Sequence, residues 1–230
     1  MWYQDDWLFT AERVIIHQPT STAVLADMHL GYVAARRGDG EAVPHFGETE
    51  RLDYLVRILQ HWKVKQVVVA GDLVESARHG YEVASNWVAE LTSLQMAIHL
   101  VPGNHDQGLG DIEGLQLHPE GFTLGEWIVL HDAELEDERR IVLGHVHPSL
   151  RCATLPGEAP CYLYTENRLL LPAWCEHAAG VSVLGKTDWH QAECYGIVGT
   201  QVIHLGLVEK LSKQLRRRPR PFRIGFGLTT

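Results

Sequence analysis

Five short stretches of the 230-residue chain gather side chains whose oxygen and nitrogen atoms bind metals. They are "LADMHLG" with Asp27 and His29, "AGDLVES" with Asp72 and Glu75, "PGNHDQ" with Asn104, His105 and Asp106, "VLHD" with His131 and Asp132, and "LGHVHP" with His145 and His147. Four of the five directly follow an apolar run, where a buried strand would end. On an extended segment side chains i and i+2 share a face, so Asp27-x-His29 and His145-x-His147 would each offer one metal two ligands. Carboxylate, amide and imidazole without thiolate suit divalent Mn, Fe or Zn. The set leaves room for two ions, and a pair about 3.5–4 Å apart needs a bridging ligand. Asp72, a lone carboxylate on a tight Gly-Asp exit, is the candidate bridge.

Each residue also has an ordinary reading. Asp27 could cap a helix, Asp72 could sit in a turn, and His145 with His147 could be a half-exposed strand pair. Asn104, behind Pro102-Gly103, is a common turn former. His17, His61, His79, His99, His118, His190 and His204 lack such company and read as surface or core histidines. For the clusters, the ordinary reading needs five independent coincidences at strand ends.

The elements that would position them alternate in type. "RVIIH" and "STAVLAD" read as two strands joined by a Gln-Pro-Thr turn. Residues 48–62 place Leu52, Leu55, Val56 and Leu59 on one helical face, and residues 80–95 repeat the pattern. "KQVVVAGD" and "MAIHLVPGN" read as buried parallel strands that stop at glycine. From about residue 120 the chain turns to short strands, with Glu166-Asn167 and Gly199-Thr200 as hairpin turns. An α/β half joined to a β-rich half predicts two sheets packed face to face with helices outside. In such open sheets, sites lie at the carboxyl ends of strands.

Composition sets further bounds. With 45% apolar residues the chain can bury a core, as one domain over residues 1–209 followed by a basic arm at 210–230. That arm holds seven of the 20 Lys/Arg and none of the 29 Asp/Glu, so the net charge of −9 divides into +7 there and −16 elsewhere. An acidic body repels polyanions unless a local positive patch or a metal holds their phosphates. Cys152, Cys161, Cys175 and Cys194 show no C-x-x-C spacing, so free thiols are expected. The start, "MWYQDDWLFTAERVI", does not read as a secretory signal, and no run approaches the ~20 apolar residues of a membrane span. A cytoplasmic location without membrane partners is expected.

In order, D-x-H, G-D-x-x-(D/E), G-N-H-(D/E), His and G-H-x-H resemble the signature of the calcineurin-like metallophosphoesterases, over roughly residues 20–150. The resemblance implies a four-layer α/β/β/α sandwich with two mostly mixed sheets, and a dinuclear site. One metal would take Asp27, His29, Asp72 and His147, the other Asp72, Asn104, His131 and His145. Within that superfamily, "LADMHLGYVAARRGDGEAVP" and "LLLPAWCEHAAG" are similar to the bacterial DNA ligase-associated metallophosphoesterases, which implies a DNA repair setting and repair proteins as partners.

The expected activity is that of a phosphodiesterase using hydroxide activated between two divalent metals, Mn first, with Fe or Zn as alternatives. His105, next to Asn104 but not itself a ligand, is expected to be the general acid, a role typically contributing ~10²- to 10⁴-fold. Asp106 would either hold that imidazole protonated or cap the following loop. Arg36 and Arg37 would reach a second phosphate, although an exposed basic pair is the commoner case. A small diester, a cyclic nucleotide or a single-stranded nucleic acid would be the substrate. The arm would bind a nucleic-acid backbone, against the ordinary readings of a solvated arm or a segment that pins a homodimer through Phe222, Ile224 and Phe226. The rivals are a phosphomonoesterase acting on nucleotides or phosphoproteins, and a non-catalytic scaffold of the same fold.

Overall fold

The structure, a computed structural model, describes residues 1–44, 47–133, 139–151 and 157–216; the expectations for Cys152 and for the arm beyond residue 216 lie outside the described residues. In chain order, β1 (Trp2–Gln4), β2 (Trp7–Phe9), β3 (Ile15–His17) and β4 (Thr22–Leu25) precede α1 (Tyr32–Gly38) and α2 (Glu48–His61). Next come β5 (Gln66–Ala70), α3 (Ala77–Ser93), β6 (Ala97–Val101) and β7 (Leu115–Leu117). There follow β8 (Phe122–Leu124), β9 (Trp127–Leu130), β10 (Arg140–Leu143), β11 (Pro148–Arg151), β12 (Glu158–Tyr164) and β13 (Arg168–Leu170). The described chain ends with β14 (Val181–Ser182), β15 (Glu193–Val198), β16 (Gln201–Leu207) and α4 (Val208–Arg216).

Among the described residues, β1 to β7 make one seven-stranded sheet in chain order. It is antiparallel up to β4 and parallel from β4 to β7. The nine-stranded second sheet runs β14-β11-β12-β13-β10-β9-β8, with β15 and then β16 branching from β12. Both sheets are mixed, as expected. The turns at Glu166-Asn167 and Gly199-Thr200 join antiparallel partners, and Gly199 supplies the positive φ, +57°, that a tight hairpin requires.

Strand periodicity explains the layering. Val67 and Val69 of β5 join the apolar cluster formed with Leu52, Leu55 and Leu59 of α2 and Trp87, Val88 and Leu91 of α3. Val68 and Ala70 point the other way, against Val129, Val142, Tyr162 and Leu169 of the second sheet. A strand buried on both faces must be continuously apolar, and each such valine contributes roughly 1.5–3 kcal/mol. The outer face of the second sheet is covered by Val183, Trp189, Ala192 and the Val208 end of α4. Ser212 of α4 accepts a hydrogen bond from the Gly185 N–H at 3.1 Å, so the first residues of the basic segment are seated on that sheet as helix.

This frame aims one end at a single place. Strands β4, β5 and β6 are parallel, as are β9 and β10, and the five clusters follow the carboxyl ends of these five strands.

Candidate metal centre

After β4 the backbone leaves the sheet but stays beside the loop after β5. The Asp27 N–H donates to the Gly71 carbonyl at 3.0 Å, His29 to Asp72 at 2.9 Å and Leu30 to Leu73 at 2.9 Å. Asp27, His29, Asp72, His145 and His147 all have positive φ, between +46° and +64°. The structure therefore corrects the expectation of extended D-x-H and H-x-H segments: left-handed kinks, not strand alternation, set these side chains. His145 and His147 also separate, His147 grouping with Asp27 and His29, and His145 with Asp72 and His131.

Within each group the candidate ligand atoms lie within 4.8 Å of one another, and a further group joins His29, Asp72 and His105. Asp27 is wholly buried, and both its carboxylate oxygens accept from the His145 N–H, at 3.1 and 3.0 Å. Its Oδ1 lies 3.3 Å from His147 Nε2. Asp72 Oδ1 accepts from the His105 N–H at 3.1 Å, while Oδ2 lies 3.5 Å from His131 Nε2. Gly103 makes this approach possible, since a Cβ there would fall 2.2 Å from Asp72 Oδ1. Gly71 does the same for His131: a Cβ would sit 2.0 Å from its Nδ1, and φ is +81°.

The imidazoles are oriented from behind. His131 Nδ1 pairs with the Ala70 carbonyl at 3.0 Å and His147 Nδ1 with that of Ala179 at 3.2 Å, which commits the Nδ1 protons and turns each Nε2 toward the buried carboxylates. His131 Nε2 then faces His145 Nδ1 at 3.1 Å, and His29 Nε2 is buried without a partner. Among the described residues, the ion pairs of Asp27 and Asp72 are all with histidines. Two buried carboxylates this close together are costly unless a cation sits among them. The donor set of oxygen and nitrogen without sulfur fits a divalent metal.

His105 Nδ1 donates to the Glu75 carbonyl at 2.7 Å. Burial draws its pKa down, but the Glu75 carbonyl and the charges of Asp72, Glu75 and Asp106 outweigh it and leave the imidazole above its ordinary value. Glu75, not Asp106, is therefore the hydrogen-bond partner of this ring. Asp106 instead accepts from Gly103 N–H at 2.9 Å and Val74 N–H at 3.3 Å, which ties the two loops together, and burial pushes its pKa up to about 6. Asn104 is exposed on the turn between Gly103, which leaves room for Asp72, and His105, whose N–H bonds it. Arg36 and Arg37 lie on α1 outside the ligand groups: Arg36 pairs with Glu41 at 3.0 Å and Arg37 donates to the Val43 carbonyl at 2.8 Å.

Sequence reasoning gave no role to Arg13 and Arg51. The Trp174 and Cys175 N–H groups donate to the carbonyls of Ala26 (2.9 Å) and Asp27 (3.1 Å), and Arg13 and Arg51 hold this segment by its Ala173 and Trp174 carbonyls, each at 2.8 or 2.7 Å. The only signal was the L-P-A-W stretch itself.

Two mixed sheets that deliver carboxylates and imidazoles from their strand ends to one cluster define a class of metal-dependent hydrolase. The calcineurin-like phosphoesterase profile matches residues 20–177, and the chain belongs to that family of hydrolases acting on phosphoester bonds with divalent metals. Among solved structures, the Pseudomonas putida nuclease MPE aligns with a TM-score of 0.68 at 21% identity, over 86% of this chain and 94% of that one. No curated protein matches the chain. Among the described residues no helix is long and apolar enough to cross a membrane.

Proposed function

We propose that this protein is a phosphodiesterase acting on nucleic-acid phosphodiesters, with two divalent ions, Mn by preference, in a DNA repair setting. The observation that carries the reading is the position of Asp72, whose carboxylate groups with His131 and His145 in one direction and with His29 and His105 in the other. Asp27, His29, Asp72 and His147 would hold one ion; Asp72, Asn104, His131 and His145 the other. Bound, the ions would supply Lewis-acid charge to the phosphoryl oxygens and activate water. The protein's own contribution is a proton. His105, anchored through Nδ1, has Nε2 left to serve the leaving oxygen. The description of the structural neighbour as a nuclease supports a nucleic-acid diester as substrate class.

The test is a panel of a nitrophenyl diester, the matching monoester, a 2′,3′-cyclic nucleotide and single-stranded DNA, assayed with and without Mn. Diester cleavage dependent on Mn is expected, and a strong monoester preference would overturn the diesterase reading. The basic arm is proposed to add phosphate contacts. Deleting residues 217–230, which leaves α4 whole, removes four arginines and should flatten the salt dependence of single-stranded DNA binding by up to roughly 3 in log–log slope.

A further inference from the structure

Glu75 is not among the ligand positions, yet it meets two histidines of the site with different atoms. Its Oε2 lies 2.9 Å from His29 Nδ1, and its main-chain oxygen accepts from His105 Nδ1 at 2.7 Å. The His29 contact is at ion-pair distance but out of line for a straight hydrogen bond, and His29 Nε2 is buried without a partner. With Nδ1 turned to a carboxylate, only Nε2 is left to offer a lone pair to the group with Asp27 and His147. A carboxylate behind a ligating imidazole fixes its tautomer and makes it a stronger donor. Glu75 is itself held: its N–H donates to the Leu30 carbonyl at 3.0 Å, and the preceding Val74 N–H donates to Asp106 at 3.3 Å. It is thus tied to the loop that carries His29 and to the turn that carries His105.

We infer that Glu75 is a positioning residue with two separable parts, a carboxylate that selects Nε2 of His29 as the metal ligand and a carbonyl that aims His105. The inference rests on the metal-dependent reading above. Substitution removes the first part and leaves the second, because every residue keeps its carbonyl.

The experiment compares wild type with Glu75→Ala and Glu75→Gln. Nitrogen-15 NMR of the metal-free proteins reads the His29 tautomer, and calorimetry with Mn reads both affinities. Wild type should show His29 protonated on Nδ1, and Glu75→Ala should lose that preference. The alanine variant should weaken one ion by about 10- to 100-fold while the other holds. Glu75→Gln, whose amide oxygen still accepts from Nδ1, should fall between. An unaltered tautomer with unaltered affinities in Glu75→Ala would overturn the inference, while a wild type that takes up no pair of ions would remove the metal reading and this inference together. If the alanine variant unfolds, as circular dichroism would show, the isosteric glutamine variant decides: wild-type affinities at both sites and no dependence on the carboxylate charge would end the proposal.

Discussion

At Asp27, His29, Asp72, His145 and His147 the backbone occupies a region that costs an L-residue roughly 1–2 kcal/mol, and such strain persists only where surrounding contacts impose it. Here the contacts are visible. The hydrogen bonds from Asp27 and His29 to the loop after β5, and from His145 to the Asp27 carboxylate, hold the kinks in place. The same logic governs His105, whose ring is fixed through Nδ1 while its backbone N–H binds Asp72. Removing only the ring should therefore leave the ligands undisturbed. His105→Ala is expected to keep its metals by elemental analysis and to slow turnover by ~10²- to 10⁴-fold on poor leaving groups, with a much smaller loss on nitrophenolate. Equal losses on both would count against the acid role. Asp106→Asn should act differently, by loosening the join between the two loops at Gly103 and Val74.

At the scale of elements, the segment after β13 matters as much as the strands. Ala173 bridges Ala26 in parallel fashion, and Trp174 and Cys175 continue the contact to Asp27. Arg51 of α2 fastens this segment: it donates to the Trp174 carbonyl at 2.7 Å, lies 4.2 Å above the Trp174 ring and pairs with Glu176 at 3.7 Å. Arg51→Ala should cost about 1–3 kcal/mol in chemical denaturation, from a charged hydrogen bond and a cation–π contact, and Arg51→Lys should recover only part. A loss below a few tenths of a kcal/mol would show that the segment holds itself. None of this pairing was legible in the sequence, because periodicity reports a segment's own faces and not a partner distant in the chain. What was legible followed that rule: Leu52, Leu55, Val56 and Leu59 predicted the buried face of α2, and the apolar runs ending in Gly-Asp and Pro-Gly predicted β5 and β6. Helix α1 buries no side chain and so left no pattern, and α4 was hidden by its basic composition. The ligand types could be named from the residues, and their division between two groups from the family resemblance, but the backbone kinks that produce the division are encoded by no spacing.

Across the whole molecule, the edge of the first sheet at β6 and β7 carries a titratable pair. His99 on β6 and His118 after β7 meet at 3.0 Å, Nδ1 to Nε2, and both rings pack on Phe122 of the second sheet. Burial, with the neighbouring His118 adding to it, lowers the His99 pKa from 6.5 to about 4. Unfolded, this imidazole takes up a proton near 6.5; folded, it resists until about 4. The unfolded chain therefore binds more protons within that interval, so the contribution of His99 to stability is complete above about pH 6.5 and is lost as pH falls toward 4. Carboxylates that titrate in the same range will add their own slope, which is why the comparison must be with a variant. His99→Leu keeps an apolar side chain against Phe122 and removes the proton. Its denaturation free energy, measured every half unit, should fall less steeply than wild type between pH 6.5 and 4 and run parallel to it above. Parallel curves throughout would mean that His99 is protonated as easily in the fold as in the open chain, and that the His99–His118 contact forms at no electrostatic cost.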